Sequence, residues 1–357
     1  MSQSPHYRRN PDVVPEWGTS TDMVLRNCRT GRTFSARPAL LTLLGHLDQP
    51  RTPEELHGLW DGSPGAEAVA ALLEKLAAAG IVRHGQAAAE HGPGDGWTPY
   101  ERAVHHQAGT GGLSGWDLGA CPSARFRHGE ATRTINLPET DGPGSRPLAT
   151  VLAERRSIRR YAPEPVPLTA LAALLQHAAR VRGYIPPLAY QQTQRPSPSG
   201  GGRHSLEIHV LARDVQGLEP GAYHYDPFAH ALDHLAPWSE ELAALQHRFV
   251  AAPAAMEQPP PVSLYLTSFA ARTAWKYSRL VLALIYRDTG CLMQTLSLTA
   301  TDLGLAACPI GAIDASLSAP FLTPYKDRLI HVGSLALGLP RADEAPTPVL
   351  RLQDLYH

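Results

Sequence analysis

Hydrophobic spacing divides the chain into helical and extended stretches. After Tyr277, apolar residues fall at Leu280, Val281, Leu284 and Ile285, the stripe of a helix that hides one face. Asp288, Thr289 and Gly290 are read as a break, and a second helix is expected over residues 291–303, with Gly304 suited to its C-terminal cap. Residues 305–311, LAACPIG, are apolar and turn-bounded, as a buried strand end is. Earlier, residues 148–156 predict a helix, 157–161 an extended exit, and 168–180 a second helix buried through Leu171, Leu174 and Leu175. Residues 183–204 read as a loop. Leu206, Ile208 and Val210 alternate with Glu207 and His209, which predicts a half-covered strand. Further strands are expected at 222–225, 231–235, 261–267 and 328–337.

The first hundred residues have a different pattern. Residues 1–19 are polar and contain Pro, a loose tail. Residues 23–27 and 32–35 flank Thr30 and Gly31, a hairpin. Pro38 opens a Leu-rich helix, Thr52 and Glu55 frame a capping box with Pro53 at the first helical position, and a third helix over 66–79 ends at Gly80. Ile81 and Val82 begin a wing strand. Three short helices with flanking strands suggest a winged helix. Residues 87–147 are rich in Gly and Pro and predict a linker with one short helix near 99–106. The run GTGGLSG at 109–115 follows no strand and opens no helix, so it is not a dinucleotide loop. The expected domains are a tail (1–19), a winged-helix-like domain (20–86), the linker (87–147), a larger α+β domain (148–345) and a C-terminal tail (346–357).

The chain has 357 residues, with 43% hydrophobic and 18% charged, and a net charge of −1. That is an ordinary globular mix and points to neither nucleic acid nor membrane. Over residues 20–85, seven Lys and Arg side chains balance seven Asp and Glu, so the winged-helix reading carries no DNA footprint. Cys28, Cys121, Cys291 and Cys308 are scattered with no C-x-x-C pair, which disfavours a zinc site or a disulfide framework and fits a reducing cytoplasm. The N-terminus lacks an apolar signal core. The 17 histidines show no H-E-x-x-H spacing, so no metal is expected, and no G-x-S-x-G elbow stands out.

Four arginines crowd the string Glu154, Arg155, Arg156, Ser157, Ile158, Arg159, Arg160. Alone they read as a solvated surface. A phosphate monoester, however, wants the fork of donors that Arg supplies. Pro198, Ser199, Gly200 and Gly201 form a loop that lets another group approach the backbone. Pro309 and Gly311 likewise leave the backbone bare, so a flat ligand fits there.

Together with Lys276, Tyr277, Tyr286, Arg287, Gly290, Gln294 and the GLAACPIGAID ending, these strings resemble the nitroreductase family of flavoenzymes, and within it the SagB-type azoline dehydrogenases. The resemblance covers about residues 95–345. It implies an α+β, nitroreductase-like domain with a mixed sheet flanked by helices, homodimeric, with FMN at the subunit interface. Arg155, Arg156 and Ser157 would hold the phosphate and ribityl chain, and Arg159 the pyrimidine edge. Pro198, Ser199 and Gly200 would reach the flavin from the second subunit. Pro309, Ile310 and Gly311 would face the redox nitrogen, with Gln294 and Arg341 adding contacts. Lys276 and Tyr277 would carry the chemistry: dehydrogenation removes one proton and one hydride, and a phenol takes a proton where an ammonium stabilises its anion. Neighbouring helical residues point about 100° apart, so the pair either precedes the first helical turn or acts separately. The implied partner is an azoline-containing precursor peptide, its leader bound by the N-terminal domain through strand addition, with a cyclodehydratase as a further partner. The alternatives are an NAD(P)H-dependent flavin reductase of the same fold and a non-catalytic scaffold subunit.

Overall fold

The computed structural model describes residues 4–17, 23–60, 64–85, 96, 98–109, 111–113, 119–140, 146–186 and 190–342. The expected C-terminal tail, residues 1–3 and 18–19 of the expected N-terminal tail, and much of the expected linker lie outside them. The chain divides into two compact units, Met1–Gly112 and Leu113–His357.

The first unit runs β1 (His6–Arg9), β2 (Val13–Trp17), β3 (Met23–Asn27), β4 (Thr33–Ala36), α1 (Pro38–His46), α2 (Pro53–Leu59), α3 (Ala66–Ala78), β5 (Val82–Gly85) and α4 (Pro99–Gly109). The hairpin is present as β3 and β4, and β2 joins them in an antiparallel sheet. The capping box forms: Glu55 N donates to Thr52 Oγ1 at 3.3 Å and Thr52 N donates to Glu55 Oε2 at 2.9 Å. Leu25, Leu43, Leu47, Leu56, Val69 and Leu73 build the core.

Residues 6–17 are not a loose tail. Tyr7 is 1% exposed, and its N–H and C=O pair with Arg51 at 2.8 and 2.9 Å, while β1 pairs with β5. Tyr7 is an isolated apolar residue in a polar run, and Val13 and Val14 are too short a pair, before Pro15, to announce a strand. Helix α4 was expected in the linker but belongs to this unit. Its Arg102 reaches the buried Asp12 at 3.5 Å, beside Arg29 at 2.9 Å and Arg83 at 2.6 Å.

The second unit runs β6 (Arg133–Asn136), α5 (Leu148–Glu154), α6 (Leu168–Ala179), β7 (Leu206–Ala212), β8 (Gly221–Asp226), β9 (Ala231–Pro237), α7 (Glu240–Gln246), β10 (Val262–Ser268), α8 (Ala270–Lys276), α9 (Val281–Asp302), β11 (Ala306–Ile310) and β12 (Ile330–Gly338). A seven-stranded sheet has the order β11–β12–β10–β7–β8–β9–β6. The architecture is α+β, as expected, but every pairing in this sheet is antiparallel rather than mixed among the described residues. Strand β6 lies in the expected linker, which therefore contributes to the sheet.

Both sheet faces are covered. Leu171 and Leu174 of α6 and Leu292 and Leu296 of α9 pack on one; Phe126, Leu242, Phe249 and Leu322 pack on the other. Strand β7 is consequently buried at every residue, not half-covered. Its Glu207 and His209 are inside, where Arg272 Nη1 bonds Glu207 Oε1 at 2.6 Å and His128 Nε2 meets His209 Nε2 at 3.1 Å.

The two expected helices either side of residues 288–290 are one, α9, of 22 residues. Ile285, Leu292, Leu296 and Ala300 are buried along it, so the buried stripe continues through the polar interruption. Thr289 Oγ1 spends its hydrogen on Ile285 O at 2.8 Å, and one Gly costs a helix only about 1 kcal/mol against Ala. Gly304, at φ +70°, ends the helix as expected: Leu305 N donates to Ala300 O at 2.8 Å and Gly304 N to Thr301 O at 3.2 Å. No helix among the described residues is long and apolar enough to cross a membrane.

Candidate active site

The arginine string leaves α5 at its C-terminus, where Arg155 adopts φ −56°, ψ 120°. The next residues run beside the sheet edge. Ile158 N donates to Ala307 O at 3.0 Å, and Ala162 N to Leu339 O at 2.9 Å. Strand β11 ends this sheet, which suits Pro309, since an edge position loses no ladder bond to proline. Ser157 and Arg159 reach Cys308: burial pushes the thiol up, and the Arg159 charge and the Ser157 hydroxyl pull it back. Pro309 and Gly311 are exposed and Ile310 is buried between them. Arg159 and Arg341 share a cleft of about 750 Å³ with Arg160 and Arg213. Arg155 and Arg156 are half-buried beside this group. Met293 of α9 lies at Gly333, beside Ile310. A Cβ on Gly333, at φ +140°, would strike Met293 Cε at 2.5 Å and Ile310 O at 3.0 Å. Gln294, next along α9, is exposed.

A second group forms around residues 198–202. Ser199 Oγ donates to Asp288 Oδ2 at 2.5 Å, and Gly200 N lies 3.1 Å from Asp288 Oδ1. Burial raises the Asp288 carboxyl above the usual range, and these two donors hold it back. His204 N donates to Ser199 Oγ at 2.9 Å, closing the turn. Pro198 is exposed at its rim. Gly201 has φ +61°, and a Cβ there would meet Lys276 Nζ at 2.6 Å and Tyr277 Oη at 2.7 Å. The missing side chain is therefore what admits both groups.

Lys276 is the last residue of α8, and Tyr277 is extended at φ −123°, ψ 142°. The helix ends between them, before α9 begins, so the pair is not separated by a helical turn. Lys276 Nζ also donates to Tyr190 Oη, as does Gln192 Nε2.

The structure thus gathers Ser157, Arg159, Arg341 and the 309–311 backbone at one place, and Ser199, Gly200, Lys276 and Tyr277 at another. Both border α9, one at Met293 and one at Asp288. Sequence reasoning missed helix α8, Asp288 as an anchor, and Tyr190 with Gln192. Asp288 left one signal. It lies four residues from both Leu284 and Leu292, so a carboxylate interrupts a buried stripe and demands a partner. Tyr190, inside a Pro-rich loop, left none.

An antiparallel sheet covered by helices, with an arginine string along its edge strand, defines an α+β domain. The Nitroreductase family profile matches residues 152–331, and the chain belongs to that family. A protein of Methanocaldococcus jannaschii named as a nitroreductase is 32% identical over 188 residues, 51% of this chain and 85% of that protein. The trifolitoxin-processing protein TfxB of Rhizobium leguminosarum bv. trifolii is 31% identical over 117 residues, 32% of this chain and 31% of that protein. A solved nitroreductase-type structure from Ralstonia eutropha JMP134 has a TM-score of 0.47 at 21% identity, over 60% of this chain and 93% of that one.

Proposed function

We propose that the second unit binds FMN and oxidises azoline rings of a ribosomally made peptide to azoles. The observation that carries the reading is the convergence of Lys276 Nζ and Tyr277 Oη on Gly201, apart from the arginine string. An ammonium and a phenol assembled away from the phosphate donors have a task other than holding the cofactor.

The donor set fits FMN. Arg155, Arg156, Ser157 and Arg341 offer a fork of donors to the phosphate, Arg159 a cation to the ring edge, and residues 309–311 a bare backbone to the ring face. When bound, FMN would supply the hydride acceptor, with oxygen as the terminal oxidant. Tyr277 takes the ring proton at Oη by acting as its anion, which the Lys276 ammonium stabilises, and becomes the neutral phenol. Asp288 fixes the 198–202 turn against which both groups rest. In a homodimer, each cofactor would take its arginine string from one copy and its 198–202 turn from the other, which accounts for the separation of the two groups along α9.

The first unit serves the peptide in this reading. Strand β4 pairs only with β3 among the described residues, leaving an edge to which an extended leader can add. The similarity to a trifolitoxin-processing protein supports a biosynthetic substrate. An absorbance scan and a mass assay test the proposal together. The purified protein should be yellow with one FMN per subunit, and an azoline peptide should lose two hydrogens per ring without added NAD(P)H. A colourless protein that takes up no FMN would favour a scaffold subunit. A requirement for NAD(P)H with hydrogen added to the substrate would install the reductase reading instead.

A further inference from the structure

The contacts of Lys276 extend beyond Tyr277. Its Nζ donates to Tyr190 Oη, beyond the hydroxyl end of that ring, and lies 5.5 Å from the Tyr277 ring centroid. Gln192 Nε2 donates to the same Tyr190 oxygen and also to Gly201 O at 2.8 Å. A connected path therefore runs from Lys276 through Tyr190 and Gln192 back to the turn that Lys276 faces. Tyr190 is itself braced. Its ring lies 5.4 Å from Trp275 and 5.3 Å from the Arg203 guanidinium. Arg203 is 1% exposed, and its three nitrogens are taken by the carbonyls of Arg272, Gln191 and Pro122 at 3.1, 2.8 and 2.9 Å.

We propose that Tyr190 is the positioning residue of the Lys276 and Tyr277 pair, holding the Lys276 ammonium at the Gly201 turn through its hydroxyl. This rests on the dehydrogenase reading for its catalytic consequence, but the placement of the ammonium stands without it. A lysine side chain is long and flexible, and an ammonium that supports a reacting phenol has to stay in one place. Gly201, which has no side chain, does not restrain it. Tyr190 does, from a braced ring.

The chain carries three lysines, Lys75, Lys276 and Lys326, so the placement can be read directly. Lys75 and Lys326 are exposed and serve as references. The full-length protein is treated with a limiting amine-reactive acylating reagent, and each lysine's rate is followed by peptide mass spectrometry. Lys276 should react roughly tenfold more slowly than both references, the factor expected of one hydrogen bond to a charged group. Tyr190→Phe keeps the ring and removes the oxygen; Lys276 should then speed up severalfold while the references stay unchanged. In the azole assay the same variant should lose roughly tenfold in kcat with KM and FMN content unchanged. If Lys276 of the unmodified protein already reacts as fast as the references, the proposal fails with no variant needed. It fails equally if Tyr190→Phe leaves the Lys276 rate where it was. Protected Lys276 in a protein that makes no azole would remove the dehydrogenase reading and leave the placement standing.

Discussion

Asp288 on α9 accepts the hydroxyl of Ser199 at 2.5 Å, which ties the 198–202 turn to the long helix. The same carboxylate lies 3.1 and 3.2 Å from Gly200 N. Asp288→Ala leaves both donors without that acceptor. Losing hydrogen bonds to a charged group costs about 1.5–3 kcal/mol each, reduced here because the carboxylate is itself raised by burial. The melting temperature should fall and amide exchange at Gly200 should speed up. Exchange at Gly200 equal to that of the unmodified protein would show that the turn stands without Asp288.

Gly201→Ala should damage the site more than the fold. The new Cβ would lie 2.6–2.8 Å from Lys276 Nζ, Tyr277 Oη and Lys276 Cδ, at a φ of +61° that side chains rarely adopt. The struck atoms are side-chain ends and can move, so the protein should still fold. Azole formation should drop by roughly 10²-fold, the scale of misplacing a catalytic group by about an ångström. Circular dichroism beside the mass assay checks this; full turnover with native structure would mean the two groups need not meet at Gly201.

Holding the cofactor and doing chemistry should separate by mutation. Tyr277→Phe should keep the yellow colour and lose roughly 10²–10⁴-fold in azole formation, as expected for a positioned acid–base group. Arg155→Ala should lose FMN on gel filtration and recover part of its activity in excess FMN. Colour loss in Tyr277→Phe, or full FMN retention in Arg155→Ala, would reverse these assignments.

The buried histidines predict sensitivity to mild acid. Burial lowers His128 and His204 to about 3 and His331 to about 4, and takes His209 well below its ordinary value. Each folded value lies below the unfolded one of about 6.5, so the unfolded chain protonates first. Their stabilisation is full above about pH 6.5 and is lost as pH falls toward 4. For His128, His204 and His331 the loss between pH 7 and pH 5 is about 2 kcal/mol each. His224 runs the other way: burial lowers it, but the carboxylates of Asp233 at 4.0 Å and Glu207 at 2.9 Å raise it, so it gains stability in acid and offsets part of the loss. Glu207, pushed up by burial but held at about 2 by Arg272 and His224, adds a further loss below about pH 4.5. Thermal melts at pH 7, 6 and 5 should show a steady decline; a flat profile would contradict the net balance.

Much of the second unit was legible because its strands and helices carry dense apolar stripes. Helix α6, strand β10 and the Gly304 cap follow from local spacing alone. The errors arise where distant chain supplies the environment. Glu207 and His209 alternate with Ile208 as solvent-facing residues do, yet His128 meets His209 from 81 positions away and Arg272 meets Glu207 from 65. Tyr7 became a strand residue only because Arg51 and β5 offer it backbone partners. At the site, the arginine string and Lys276 with Tyr277 stood out by residue type. Tyr190 and Asp288 act through contacts 86 and 89 positions away, which no local window contains.

The continuity of α9 makes it a ruler. Asp288, which holds the turn, and Met293, which lies beside Ile310, are five residues apart on one unbroken helix, roughly 7.5 Å along its axis. Their separation and relative bearing are set by helical geometry and by nothing adjustable between them. Side chains along this stretch can be exchanged without altering that spacing. A residue added or deleted between them would turn one contact about 100° away from the other, so this part of the chain accepts exchange at exposed positions such as Gly290 and is closed to changes of length.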